Sequence, residues 1–293
     1  MRVKLLFAIA IIALTVASCQ KELSFDDNGG SGGGGGGGGT TGDLLAKVVS
    51  ASGGETVISE YEYDANKRLI REKVSGNMQG QNIGDDYRIV RNASGIITKT
   101  IQKNQDLILQ GIDSAVAVIH YNAATQQYQS RVADLSFFGL STIDSTVFIY
   151  DGSGKLIRSD DFISNAALGP DYVLFAVTDF SYSASGVTET RFSVGDPANP
   201  GGAPELAGKV NYEYDSKTSP LILPNGEAAA ILRMDLVAVA NATRYTYTDV
   251  INAGANNFDV TYVYTYNSNN KPVSSVSTEN PGNIVWNITY TYK

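Results

Sequence analysis

From Leu44 to Tyr292 apolar and polar residues alternate with period two, run after run. Helical spacing is confined to one short stretch, residues 227–232. Val, Ile, Thr and Tyr dominate the alternating runs, as half-buried strands require. Most runs end alike: an aromatic or aliphatic residue, any residue, a second aromatic or aliphatic residue, then Asp, Asn or Ser opening a turn. The junctions are Tyr63-Asp64, Arg91-Asn92, Tyr121-Asn122, Tyr150-Asp151, Tyr182-Ser183, Tyr214-Asp215 and Tyr266-Asn267, and Tyr292 closes the series. The first six recur every 28 to 32 residues, while the interval from 214 to 266 is 52 and contains an extra strand at residues 244–247. A fixed period of this size marks a repeat architecture.

The turns carry their own chemistry. Asn92-Ala93-Ser94-Gly95, Asp151-Gly152-Ser153-Gly154 and Ser183-Ala184-Ser185-Gly186 place an Asx or Ser side chain first and a Gly where the backbone needs φ > 0. A return strand follows at residues 69–74, 96–101, 156–159 and 187–194. Each unit is therefore an antiparallel hairpin, about fourteen to sixteen strands in all. The phase identifies the core face. One and three positions before the turn stand Tyr63 and Tyr61, Tyr121 and Ile119, Tyr150 and Phe148, Tyr182 and Phe180, Tyr214 and Tyr212, Tyr266 and Tyr264. The residue between them is Glu62, His120, Ile149, Ser181, Glu213 or Thr265. Strand side chains alternate faces, so one face of the sheet is aromatic and buried, the other mostly polar and wet. The expected fold is all-β: one antiparallel up-and-down meander of hairpins over residues 44–293, curved into an open or partly closed barrel-like sheet.

Tyr61-Glu62-Tyr63-Asp64 with Leu69, the run from Tyr150 to Leu156, and Tyr212-Glu213-Tyr214-Asp215 resemble degenerate Tyr-Asp repeats of the Rhs type. The period is nearer thirty than twenty, and the Gly-Arg pair of true Rhs repeats is missing. A closer resemblance is to Bacteroidetes lipoproteins built around a domain of unknown function with a porin-like fold. It rests on residues 212–220, on Asn241 through Tyr247, on Tyr264-Thr265-Tyr266-Asn267 with Pro272, and on Tyr290-Thr291-Tyr292. This resemblance implies a curved antiparallel meander and implies no activity. A bilayer-spanning barrel needs an outward apolar band. Glu60, Glu62, Asn211 and Glu213 at mid-strand speak against one.

The chain ahead of the strands reads as an address. Arg2 and Lys4 precede an apolar run over residues 5–16, too short to span a bilayer and right for a signal peptide. Val16-Ala17-Ser18-Cys19 resembles the bacterial lipobox. That resemblance implies a signal peptide of residues 1–18, cleavage before Cys19, and lipidation of Cys19, the only Cys in the chain. Gln20-Lys21-Glu22 and Asp26-Asp27 resemble the short charged signal that sends such lipoproteins to the outer face of the outer membrane; a solvated tether is the plainer reading. Residues 19–43 form that tether, with eleven of the 30 glycines between Gly29 and Gly42. A glycine-rich segment of about 23 residues spans roughly 25–30 Å. The expected partner on this side is the membrane, reached through the lipid anchor.

Composition narrows the chemistry. There are 30 Asp and Glu against 22 Lys and Arg, for a net charge of −8 over 293 residues. An acidic chain lacks the basic surface that phosphates require, so nucleic acid is not an expected partner. One Cys and one His exclude an intrachain disulfide, a Cys-based zinc site and any centre that needs two imidazoles. His120 falls on the polar face. Asp85-Asp86 and Asp160-Asp161 are adjacent on strands, so the members of each pair point to opposite faces and form no acid/base dyad by themselves. No catalytic, cofactor or metal residues are assigned. Asp113-Ser114-Ala115 and Asp144-Ser145-Thr146 resemble the O-glycosylation acceptor of Bacteroidetes, making Ser114 and Ser145 candidate modification sites. Trp286 falls in the core phase of the last strand; a sugar-stacking platform is its sharper alternative reading.

Three function classes stay open. The favoured one is a surface-displayed binding module for a glycan, a peptide or an envelope partner, with no enzymatic role. Its contacts are expected in residues 75–86, 164–171 and 195–208, and Tyr128 and Tyr172 are its candidate stacking residues. The alternatives are a structural or assembly component of the envelope and a carboxylate-dependent glycan hydrolase.

Overall fold

The computed structural model describes residues 44–293 except 79, 110–111, 136–141, 166–168, 197–198 and 200–201. The signal peptide, Cys19 and the glycine tether lie outside the described residues. The strands are β1 (Leu45–Ser52), β2 (Glu55–Tyr63), β3 (Leu69–Met78), β4 (Gln81–Arg91), β5 (Ile97–Asn104), β6 (Ala115–Asn122), β7 (Gln127–Asp134) and β8 (Thr142–Tyr150). They continue as β9 (Leu156–Asn165), β10 (Gly169–Tyr182), β11 (Val187–Val194), β12 (Glu205–Thr218), β13 (Ala240–Asp249), β14 (Phe258–Tyr266), β15 (Pro272–Asn280) and β16 (Ile284–Tyr292). Each pairs antiparallel with the next, and β1 pairs with β16, so the meander closes into a barrel. Closure removes both exposed edges. Among the described residues, helix is limited to α1 (Gln105–Leu109), α2 (Asn225–Ala230) and a 3-10 turn at Met234–Val237.

The two ends of the barrel differ. One carries the tight turns, and their first residue does what the sequence suggests. Asp64 Oδ1 accepts the amides of Asn66 and Arg68, Asn92 Oδ1 those of Ser94 and Ile96, and Asp151 Oδ1 those of Ser153 and Lys155. The same end holds the termini of the described chain: Leu44 and Lys293 exchange two backbone hydrogen bonds. The opposite end, the rim, carries α1, the turn after β13 and the ends of β7, β9 and β11.

The tyrosines before the turns point inward, and their hydroxyls latch neighbouring strands. Tyr150 donates to the Tyr128 carbonyl at 2.8 Å, Tyr182 to that of Leu156 at 2.6 Å, Tyr214 to that of Val187 at 2.7 Å and Tyr292 to that of Pro272 at 2.7 Å. Each acceptor lies at the start of the strand that the tyrosine's own strand pairs with.

A barrel of this many strands is too wide for its wall side chains to fill. Residues 219–239, between β12 and β13, fill the tight-turn end. Leu221, Leu223, Ala228, Ala229, Ala230 and Leu236 are buried in one cluster with Tyr61, Ile89, Tyr128, Phe148 and Leu156 of the wall. This plug is tied around the barrel. Asn225 Oδ1 accepts the Leu156 amide at 2.6 Å, and Asn225 Nδ2 donates to the Tyr182 hydroxyl. Arg91 of β4 makes a two-pronged ion pair with Glu227 at 2.8 and 2.7 Å. Arg233 bridges to Glu72 of β3 at 2.7 Å. Gly186 brings the β10–β11 turn flush against the plug: a Cβ there would lie 2.9 Å from Ala238 Cα. Burial of each Leu in the plug contributes about 1.5–3 kcal/mol.

The outer wall carries cross-strand ion ladders. Glu62, Arg71, Asp86 and Arg88 form one across β2–β4; Glu213, Arg244 and Asp259 form another across β12–β14. Between β6 and β8 the outer wall is aliphatic, with Val118, Val147 and Ile149 exposed.

Candidate functional site

Above the plug the lumen has two unlike walls. On β7–β9, Arg131 pairs across the strands with Thr146, and Thr146 with Asp161. Asp144 lies one inward position toward the rim and meets Arg131 at 3.4 Å. Arg131 thus pairs with Asp144 and lies near enough to Asp161 for its charge to be felt there. Burial, and then the charge of Asp144, push the Asp161 carboxyl up to about 7. Burial also raises Asp144, against the pull of Arg131. Arg131 Nε has no hydrogen-bond partner among the described residues. On β4–β5, Gln102 Nε2 donates to Asp85 Oδ2 at 3.2 Å, both side chains on the inward phase.

The wall formed by β12–β14 is aromatic. Tyr212 lies 6.4 Å from Tyr245, Tyr245 6.2 Å from Tyr262 and Tyr262 6.0 Å from Tyr264, ring centre to ring centre. Toward the rim Tyr247 stacks on Phe258 at 5.2 Å and 28°. Tyr262 is buried, whereas Tyr212, Tyr245, Tyr247 and Phe258 are half-buried although they point inward. In a closed barrel, inward residues keep such exposure only where the lumen is unfilled. In a ring of sixteen, β4 and β5 stand opposite β12 and β13. The aromatic wall and the Asp85–Gln102 pair are thus eight strands apart around the ring.

The residues singled out in the sequence are dispersed. Cys19 lies outside the described residues. Ser114 precedes β6 at the rim, beside exposed Asp113, and Ser145 lies at mid-β8 on the outward phase. His120 is exposed on the outer wall and Trp286 is core. Asp160 points outward to Arg158, while Asp161 points inward, as alternation requires. Tyr128 is not a surface stacking residue: it is buried, and its hydroxyl accepts the Ile97 amide at 3.0 Å. Tyr172 is exposed near the rim. Residues 75–86 are not a long connection but a hairpin paired through to Met78 and Gln81. The Asp144–Asp161 pair and the half-exposed aromatic wall escape a reading of the sequence, because both depend on strand register. The one usable signal is a carboxylate on the inward phase, at 144, 161 and 85.

No family model matches the chain. No curated protein matches it either. Solved structures do. A porin-like protein from Bacteroides vulgatus ATCC 8482 superimposes with a TM-score of 0.53 at 12% identity, over 86% of this chain and 99% of that one. A porin-like protein from Bacteroides uniformis ATCC 8492 gives a TM-score of 0.49 at 11% identity, over 85% and 98%. At such identity the similarity to the first shows a shared fold: this chain has the closed antiparallel barrel of a porin-like protein.

Proposed function

We propose that this chain is a binding module of the cell envelope: a barrel anchored through lipid on Cys19, blind at the anchored end, that offers its opposite mouth to a ligand. The observation that carries this reading is the placement of the plug and of Leu44 at the same end. The tether of residues 19–43 then leaves from the closed end, and the rim, with its longer connections, faces away from the membrane. The role is binding and not turnover. The ion ladders of the outer wall support a water-exposed barrel, since each such charge placed toward lipid would cost up to about 4 kcal/mol at the bilayer midplane. Residues 1–18 serve as the signal peptide, the destination is the outer membrane facing outward, and Ser114 and Ser145 are accessible for O-glycosylation.

The test is a glycan array together with a pull-down from envelope extract, using the full chain. Saturable capture of one ligand class is the expected result. No ligand in either format, or single-channel conductance in planar bilayers, overturns the reading. Labelling with a palmitate analogue checks the anchor: equal incorporation by wild type and Cys19→Ala removes it.

A second reading, an assembly component of the envelope, draws on the exposed aliphatic strip of Val118, Val147 and Ile149. Photo-crosslinking from position 147 to a single envelope protein, with nothing bound at the mouth, would favour it.

A further inference from the structure

The geometry points to an oligosaccharide-binding chamber in the rim half of the lumen, where Tyr247 and Phe258 stack on one sugar ring and Asp85, Gln102 and Asp144 bond hydroxyls of other rings of the same chain. This inference rests on the binding-module reading and names its ligand and its place. A pyranose has apolar C–H faces and a girdle of hydroxyls, so a chain of them needs aromatic surface for its faces and polar groups for its edges. The chamber supplies both.

Tyr247 and Phe258 are held as one unit at 5.2 Å. Tyr247 also fits flush against Gly208, where a Cβ would lie 2.8 to 3.0 Å from its ring atoms and hydroxyl. Any other residue at 208 would push the ring out of place. Both rings stay half-exposed inside a closed barrel. Deeper in, Tyr245, Tyr262 and Tyr264 continue the series at 6.2 and 6.0 Å. Asp85 and Gln102 sit eight strands away around the ring. Elsewhere around the lumen, Arg131 pairs with Asp144 and its charge is felt at Asp161.

These features also select against other ligands. A lipid chain would set hydrocarbon against the lumen's carboxyls and guanidinium and strip them of water. An acidic polymer would meet the inward carboxyls of Asp85, Asp144, Asp161 and Glu279, with Arg131 beside only two of them. A neutral sugar satisfies acceptors and donors alike. The plug closes the far end, so the chamber is blind and takes the end of a chain rather than its middle. Affinity should therefore level off with chain length once the chamber is filled.

The experiment is calorimetric titration of the full chain with neutral hexasaccharides: cellohexaose, laminarihexaose, xylohexaose, mannohexaose, maltohexaose and chitohexaose. Binding of at least one is expected. Tyr247→Ala should weaken it tenfold or more. Gly208→Ala, which keeps the tyrosine but displaces its ring, should do likewise. Val263→Ser on the outer wall, at a residue 73% exposed, should leave it unchanged. Nitration of the wild-type protein with tetranitromethane gives a readout that needs no variant: Tyr247 should react in the free barrel and be protected by the bound sugar.

Three results overturn the chamber. One is sugar binding that Tyr172→Ala abolishes while Tyr247→Ala and Tyr247 nitration are unaffected; the module then binds at the rim, and only the chamber falls. Another is binding of a cationic peptide, tri-lysine, with no hexasaccharide bound. The third is no binding of any sugar together with no ligand from envelope extract, in which case the binding-module reading falls too.

Discussion

Tyr292 ends the last strand, and its hydroxyl donates to the carbonyl of Pro272. The period-two pattern places this ring on the core face, and Phe would satisfy that pattern equally. The hydroxyl is what distinguishes Tyr, and its partner is set by cross-strand geometry that alternation does not encode. Tyr292→Phe should therefore keep the fold and lose about 1 kcal/mol, the usual net worth of one hydrogen bond. Urea denaturation of the two proteins reads the difference, and equal midpoints would reduce the latch to packing alone.

Asp161 gives a second residue-scale prediction, this time with a pH signature. Its carboxyl is raised to about 7 in the folded barrel, above its ordinary value near 3.8. The native state then holds a proton that the unfolded chain has released, so stability falls as pH rises from about 4 to about 7 and is level beyond that. The full effect is at most about 4 kcal/mol, at 1.36 kcal/mol per pH unit. Asp144 is raised as well, so the two carboxyls titrate as a pair. Asp86 works with the opposite sign: hydrogen bonds from Arg88 and Arg71 hold it low, and its contribution is lost only in acid, below the usual carboxylate range. Asp161→Asn should flatten the decline between pH 4.5 and 7.5 in thermal melts and stabilise the protein above pH 7. An unchanged slope would mean that Asp161 is hydrated and ionised. That Asp160 and Asp161 face opposite ways is legible in the sequence. That Asp161 meets Asp144 is not, since it takes the β8–β9 register to place them diagonally.

Among the elements, the plug is where the sequence is least explicit. The helical spacing at residues 227–232 and the long interval before Tyr266 mark an irregular unit, but nothing in them says that it folds inward. The reason is physical: an apolar segment beside a sheet can cover either face, and only closure of the barrel makes the inner face the one that needs filling. Arg91 commits the choice. Its side chain is 5% exposed and pairs with Glu227 while also donating to the carbonyls of Gly95 and Leu69. Glu227→Ala strands that guanidinium inside the barrel and should cost about 3–5 kcal/mol, the usual penalty for a buried charge left alone. Replacing both partners, Arg91→Met with Glu227→Leu, should recover much of that loss. A double-mutant cycle by chemical denaturation measures it. If the single variant costs under about 1 kcal/mol, the value of an exposed pair, water reaches Arg91 and the end is not sealed.

At the scale of the molecule, closure is the feature on which the rest depends. The alternating runs identify the strands and their inward phase, and they leave the sheet open or partly closed; only the β1–β16 ladder, from Leu45 opposite Tyr292 to Ala51 opposite Asn287, decides it. Because Leu44 and Lys293 already exchange two hydrogen bonds, the described chain has no natural seam. A permuted chain of the barrel residues, with Lys293 joined to Leu44 through a short Gly-Ser linker and new ends between Gly53 and Gly54, should form the same barrel. Those glycines sit in a rim turn where even an added Cβ would touch nothing within 4 Å, so the cut removes no packing. It exchanges one loop closure for another of similar cost. The expected outcome is an unchanged β-type circular dichroism spectrum and a melting temperature within a few degrees, since at this size about 1 kcal/mol shifts it by roughly 2–4 °C. A cut of the same kind between residues 226 and 227 severs the plug and should lower the melting temperature well beyond that range. Removing β16 exposes the edges of β1 and β15 and should yield aggregate rather than monomer. Were the chain lacking β16 to remain a stable monomer, closure would be incidental and the sheet would hold as an open one.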